Sequence, residues 1–355
     1  MKWFKFFFLL LLLLAAYLTL WPTNVDPVGW TPDPIPELEG DLAPNEALSK
    51  VTYLFRGLCI GCEDVAISAD GAFFGGSEDG NIYAFRSLSA KKGDLFAHTG
   101  GRPLGMHFDA QENLWVCDAT KGLLKVSPEG GVMTMATEHQ GKRFKFTNDL
   151  DIGRDGKVYF TDTSDKYSSH NYKFDILEHR PRGRFMVYDP KGQQLELLAD
   201  DLYFANGVAL APDESFALVC ETTHYRVRKI WLSGPKKGQS EFILENLPGY
   251  PDGISQGGNN VFWLTLISPR KGYLEQLLPK PFLTKMISRL PNFLQPAPTR
   301  YGMVLGIDQN GKIIHNLQSS KPNFAQISSV QETYGQLFFG SLGETGIGRI
   351  PVPQK

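Results

Sequence analysis

Long stretches with a 3.6-residue apolar period are scarce in this 355-residue chain, and charge of one sign is scarcer still, the formal net charge being -2. No basic run interleaves with aromatics, which argues against a nucleic-acid partner. Cysteine is limited to four residues. Cys59 and Cys62, three positions apart at a strand entry, read as too close for an easy bridge and lack the second pair that a zinc site needs. Cys117 and Cys220 fall within apolar strand patterns and read as buried free thiols. Cysteine therefore carries no function here. What the chain does have is 42% hydrophobic residues, 36 glycines and 23 prolines. That is enough apolar material for a full-sized core, and the balance favours an all-β protein.

The one long apolar run is at the start, "MKWFKFFFLLLLLLAAYLTLWPTN". From Phe6 to Leu20 it is apolar apart from Thr19, and Trp3 to Trp21 is long enough for the roughly 17–25 residues that cross a bilayer. Residues 1–21 are expected to be a transmembrane signal-anchor, with Lys2 and Lys5 cytoplasmic and the body periplasmic, lumenal or extracellular. The competing reading is a cleaved signal peptide, but Tyr17, Leu18, Leu20 and Trp21 leave no small-residue cleavage site after Ala15-Ala16. Residues 22–50 are Pro-rich and acidic and read as an extended tether.

From residue 51 to 353 one phrase recurs. Its first strand opens at Glu63, Leu104, Asn148, Asn206, Asp252 and, more weakly, Ser328. Most copies continue into a turn and an aromatic strand: "DGAFFGG", "ENLWVCD", "DGKVYFTD", "DESFALVCE", "NNVFWLT", "YGQLFFGS". The spacing is roughly 40–50 residues with two longer intervals, the mark of a β-propeller. Six units imply six blades.

In a propeller the equivalent position of every blade is carried around the central axis, so the six opening residues become neighbours in space. Glu63, Asn148, Asn206 and Asp252 then bring two carboxylates and two amides together, a hard-oxygen set that selects Ca²⁺. Turn propensity explains any one Asn or Asp, but it does not explain four at one register. Asp64 and Asp149 lie one residue further along and face the other way. With a carbonyl near Met106 they are either a second, deeper calcium position or two local caps.

The phrases "FTNDLDIGRDGKVYFTDTSDKY", "GRFMVYDP", "LYFANGVALAPDESFALVCETTHYRVRKIWLSG" and "ENLPGYPDGIS" resemble the strictosidine synthase-like family, the adipocyte plasma membrane-associated protein type above all. Those proteins are calcium-dependent six-bladed propellers related to gluconolactonase/regucalcin and the paraoxonases. The resemblance implies that Glu63, Asn148, Asn206 and Asp252 hold the central calcium, and that Asp64 and Asp149 fall where paraoxonases hold a structural ion. Two departures go with it. The paraoxonase catalytic histidine falls on Leu104, and the strictosidine synthase glutamate falls on Ser328. Neither a histidine-assisted paraoxonase nor a working strictosidine synthase is therefore expected.

A calcium ion with open positions polarises an ester or lactone carbonyl. That makes a small-molecule ester or lactone the expected substrate, and Asp252 the expected proton-handling carboxylate. The alternative is a calcium-stabilised propeller that binds a ligand or partner without turnover. His170, Glu178 and His179 lie in an insertion placed to overhang the channel mouth, and His224 ends an inner strand near it; the competing account of each histidine is an ordinary solvated or capping one. Leu104 and Ser328 complete the expected pocket, while His107, inside a repeated strand, reads as structural. Residues 272–295 break the strand pattern with apolar positions at helical spacing. They read as two short amphipathic helices, serving as a lid, a membrane-surface contact, or packing on the propeller side.

Overall fold

The computed structural model describes residues 2–354. Six four-stranded antiparallel sheets are arranged as blades around a central channel. Their innermost strands are Val65–Ile67, Pro103–Phe108, Thr147–Ile152, Ala205–Leu210, Gly249–Gln256 and Ile327–Thr333. Each lies beside the inner strands of the neighbouring blades, so that the ring is continuous. The six phrases of the sequence are these six inner strands with their partners. The aromatic second strands carry the core: Trp115, Phe160, Phe262, Trp263 and Phe339 are all buried between adjacent sheets. The sixth blade borrows its outer strand from the front of the propeller, Thr52–Leu54 pairing antiparallel with Ile347–Pro351. Closing the ring with the two ends of the domain removes the exposed edges that an open sheet would leave.

Five of the six inner strands slip register at their entry, between Pro103 and Met106, Thr147 and Leu150, Ala205 and Val208, Pro251 and Ile254, and Ile327 and Ser329. A bulge puts two residues opposite one and re-aims a side chain. Asn148-Asp149 is such a pair, which is why two turn-forming residues stand where a regular strand needs neither. Where the second residue is glycine, the reason is space. A Cβ on Gly207 would lie 2.5 Å from the Asp252 backbone oxygen, and one on Gly253 would strike that of Ser328. The inner strands approach too closely there for any side chain.

The apolar helix α1, Lys2–Leu20, stands exposed along its length, a candidate membrane span or signal anchor. Two insertions follow second strands and sit at one end of the channel. The first holds α2, Tyr172–Glu178; the second holds α3, Gly272–Glu275, and α4, Pro281–Ile287.

Two expectations are corrected. Residues 22–50 keep extended backbone and two short 3₁₀ turns, but they are no free spacer. They form a strap across the propeller, with Val25 and Leu48 fully buried. Arg270 donates to the Asp33 carbonyl (2.6 Å), Asn246 to that of Pro34 (3.0 Å), and the Gln318 N–H to Asn45 Oδ1 (2.9 Å). Each buried aliphatic adds on the order of 1.5–3 kcal/mol. Cys59 and Cys62 are paired as a disulfide, their Cα atoms 5.7 Å apart. The bend between them, in which Gly61 adopts positive φ, brings the two side chains together despite the short spacing. Cys117 and Cys220 are buried and free, as expected.

Candidate metal and ligand site

Glu63, Asn148, Asn206 and Asp252 meet at the floor of one cavity of about 700 Å³ at the insertion end of the channel. All four are nearly inaccessible, none more than 8% exposed. Asn148, Asn206 and Asp252 sit in the bulges where their inner strands leave regular register, and Glu63 lies two residues before its own inner strand begins.

Each amide is oriented by a threonine of its own blade, and that threonine is fixed in turn to the next blade. Asn148 Nδ2 donates to Thr163 Oγ1 (2.8 Å), and that hydroxyl donates to the Ala205 carbonyl (2.7 Å). Asn206 Nδ2 donates to Thr222 Oγ1 (3.2 Å), and that hydroxyl donates to the Pro251 carbonyl (2.7 Å). In each relay the amide nitrogen is turned to a threonine, which leaves the acceptor oxygen for another use. Asn206 Nδ2 also makes a short hydrogen bond to Asp252 Oδ1.

The carboxylates are less well satisfied. Glu63 Oε2 and Asp252 Oδ2 are buried with no hydrogen-bond partner. Burial pushes the Glu63 carboxyl up to about 7, with Arg102 opposing and Asp64 adding to the effect. Burial, and then the charge of Glu63, push Asp252 well above the usual carboxylate range, against its hydrogen bond from Asn206. Two buried acids that repel each other and keep an orphaned oxygen apiece are costly without a cation. The donor set fits a hard divalent ion, with two carboxylates and two amide oxygens on a rigid frame. Among the described residues no group of three or more His, Cys, Asp or Glu side chains forms a metal-binding cluster. The set that converges here is half amide.

The deeper pair has backbone roles. Asp64 Oδ2 accepts the Met106 N–H (2.8 Å) and Asp149 Oδ2 the Val208 N–H (2.9 Å). These N–H groups lie at the bulge of the next blade, so each carboxylate ties two inner strands together. Met106 thus meets Asp64 through its N–H. Asp64 Oδ1 has no partner. Burial and then the Asp64 charge push Asp149 well up. Both aspartates line a separate polar cavity of about 340 Å³ at the opposite end of the channel.

Of the expected pocket residues, Leu104 and His170 line the main cavity. Leu104 packs with Ala119, Phe146 and Phe204 as an apolar wall of the cavity. Ser328 lines the opposite cavity, its hydroxyl donating to the Glu63 carbonyl (2.6 Å). Glu178, the last residue of α2, is ion-paired with Lys166 (2.7 Å) and Arg182 (2.5 Å) and accepts the Asp26 N–H (3.0 Å). Burial works against its charge, but those bonds and one from Tyr167 hold its carboxyl down at about 2. It fastens the strap and does not reach the cavity. His224 is stacked on Tyr203, ring centroids 3.8 Å apart, and on Trp30 at 4.9 Å.

Sequence reasoning did not anticipate Trp30. It comes from the strap and stacks 4.1 Å from His179, which lines the cavity. Burial holds both His179 and His224 near 3, so both rings stay neutral. Thr163 and Thr222 were also not anticipated, although each follows an acid at the end of a second strand ("TDT", "ETT"), which is a usable signal.

Comparison with known proteins agrees with this geometry. The strictosidine synthase family model matches residues 148–235, and the N-terminal model of strictosidine synthase-like proteins matches residues 40–85. The adipocyte plasma membrane-associated protein of Rattus norvegicus is 31% identical over 96% of both chains. That of Homo sapiens is 33% identical over 96% of this chain and 86% of its own. Strictosidine synthase-like 6 of Arabidopsis thaliana is 32% identical over 98% of this chain and 95% of its own. Among solved structures, a gluconolactonase from Xanthomonas campestris superposes with a TM-score of 0.62 at 17% identity, covering 94% of this chain and 98% of its own. A calcium-binding regucalcin from Agrobacterium tumefaciens superposes with a TM-score of 0.57 at 12% identity, covering 84% and 90%. The fold and the family expected from the sequence are borne out. The chain belongs to the strictosidine synthase-like family of six-bladed propellers, together with the adipocyte plasma membrane-associated proteins.

Proposed function

We propose that this chain is a membrane-anchored, calcium-dependent hydrolase of small-molecule esters or lactones. The observation that carries the reading is the floor of the main cavity, where Glu63 Oε2 and Asp252 Oδ2 stand buried and unpartnered beside two pre-oriented amides. The relatives include membrane-associated proteins, and the fold neighbours include a gluconolactonase and a calcium-binding regucalcin.

Glu63, Asn148, Asn206 and Asp252 would hold the cation. When bound, calcium supplies a Lewis acid that polarises the carbonyl and stabilises the oxyanion formed as water adds. The protein does the rest. The Thr163 and Thr222 relays hold the amide oxygens in place. The wall of Leu104, Phe146 and Phe204 excludes bulk water and accepts the apolar part of the substrate. Asp252, fixed through Oδ1 by Asn206, is the carboxylate that would take a proton from the attacking water and return it to the leaving oxygen. Asp64 and Asp149 offer a weaker second cation position, for which the free Asp64 oxygen is the support; Met106, which turns its N–H to Asp64, is no ligand there.

In this proposal the propeller sits on the non-cytoplasmic side. Lys2 and Lys5 favour the cytoplasm, and the Cys59–Cys62 disulfide suits an oxidising compartment. One observation favours a non-catalytic binding propeller instead, namely the leucine at 104. A panel of aryl esters and lactones, assayed with and without chelator, separates the two. Chelator-sensitive turnover supports the hydrolase. No turnover of any member by protein with calcium demonstrably bound leaves only binding.

A further inference from the structure

The insertion of residues 272–295 meets the end of α1. The Arg289 guanidinium donates to the carbonyls of Leu18 (2.8 Å) and Trp21 (2.6 Å), and Tyr17 Oη donates to the Arg289 carbonyl (2.9 Å). Carbonyls in the last turn of a helix have no partner within the helix, and here one arginine of the insertion serves as their cap. The insertion is thereby held at the level where the apolar helix ends.

The same insertion turns aromatic side chains to the outside. Phe293 is 83% exposed and Phe282 59%, with Tyr273 and Leu294 also exposed, as is Trp21 next to them. In water this is an unfavourable concentration of apolar surface for so short a segment. Lys280 and Lys285 lie among these residues, and the single acid, Glu275, is paired with Arg270. Exposed aromatics with unpaired lysines beside a membrane-length helix are the composition of an interfacial element.

A groove of about 570 Å³ runs between the end of α1 and this insertion, with Tyr17 and Trp21 on one side. His170, Tyr172, Lys173 and Gln295 line both this groove and the main cavity. One wall thus separates the calcium-site cavity from the point where the apolar helix ends.

We propose that residues 272–295 lie in the lipid interface as a second membrane contact, and that the main cavity takes its ligand from the bilayer through this shared wall. The ligand class is then a single-chain amphiphile, an acyl ester or lactone whose polar carbonyl meets the cavity floor while its chain lies along the apolar wall. The substrate part rests on the hydrolase reading; the membrane contact does not.

The test uses the full chain in proteoliposomes. Phe293→Cys carries an environment-sensitive fluorophore, and so does Lys191→Cys, in a turn at the opposite end of the propeller. The native thiols Cys117 and Cys220 are buried and do not compete for label. Doxyl-labelled phospholipid should quench the label at 293 and spare the label at 191. An unquenched label at 293 overturns the membrane contact. Phe282→Glu/Phe293→Glu should slow turnover of a long-chain ester held in the vesicle by about tenfold, the scale of withdrawing an aromatic ring from an apolar phase. Turnover of a short water-soluble aryl ester should not change. Equal slowing of both substrates, or of neither, overturns delivery from the bilayer. If no ester is turned over, the hydrolase reading falls. Uptake of a fluorescent single-chain ester from the vesicle then decides delivery, with loss in the double variant supporting it and equal uptake overturning it.

Discussion

Replacing Glu63 by glutamine should move the stability of this protein in opposite directions with and without calcium. In the metal-free protein Glu63 is buried beside Asp252, and its carboxyl is raised from 4.5 to about 7. An acid raised in the folded state contributes stability below its unfolded value, and that contribution is lost as pH rises through the folded value. The metal-free wild type should therefore weaken from about pH 4.5 to above 7. Holding the ionised carboxylate costs roughly 3 kcal/mol once pH exceeds both values. Glutamine removes that charge, keeps the shape, and offers an amide donor to the orphaned Asp252 oxygen. In chelator at pH 7.5 the Glu63→Gln protein should melt about 4 °C above wild type. With calcium the order reverses. A saturating ion at a thousand times its Kd adds about 4 kcal/mol to the wild type, and the variant, short of one of the site's two charges, should lose most of that gain. Calorimetric or fluorescence melts in chelator and in calcium, at pH 5 and 7.5, measure all four values. Equal calcium-induced shifts in the two proteins would mean that Glu63 is no ligand. A variant less stable than wild type in chelator would refute the argument that the charge is strained.

Other consequences follow from the same geometry. Asp252→Asn should lose turnover that saturating calcium does not restore, whereas Asn206→Ala, which removes a neutral ligand, should recover much of its activity in excess calcium. Equal rescue in steady-state assays would reduce Asp252 to a ligand only. Thr222→Val removes the hydroxyl that orients Asn206 and should weaken calcium binding by about 10–100-fold in titration calorimetry while the far-UV spectrum stays unchanged. Glu178, held down at about 2 from 4.5, contributes stability that is full above pH 4.5 and lost as pH falls toward 2. Hydrogen exchange of residues 22–30 should accelerate over that window before the blades open, and in Glu178→Gln it should already be fast at neutral pH.

The sequence by itself determined the blade count, the floor of the site and the family. The first two are written in a local pattern that every blade repeats at one register, which a ring converts into spatial proximity, and the family is written in longer phrases such as "LYFANGVALAPDESFALVCETTHYRVRKIWLSG". Asn148 and Asn206 could be placed together without knowing a single contact between blades. The bulges were legible only as an excess of turn-forming residues, since a register slip is defined by the partner strand. Tertiary structure alone decided everything that depends on contacts distant in the chain. Residues 22–50 have the composition of a spacer, yet Arg270, Asn246 and Gln318 bind their polar groups and the propeller buries Val25 and Leu48. Glu178 and His224 lie close in sequence to the channel mouth, but the strap that crosses them engages the one through Asp26 and the other through Trp30. Ser328 shares the register of the four candidate ligands and still turns to the opposite cavity, where its hydroxyl donates to the Glu63 carbonyl. Periodicity specifies which residues share a ring, while the direction of each side chain depends on hydrogen-bond partners that another blade supplies.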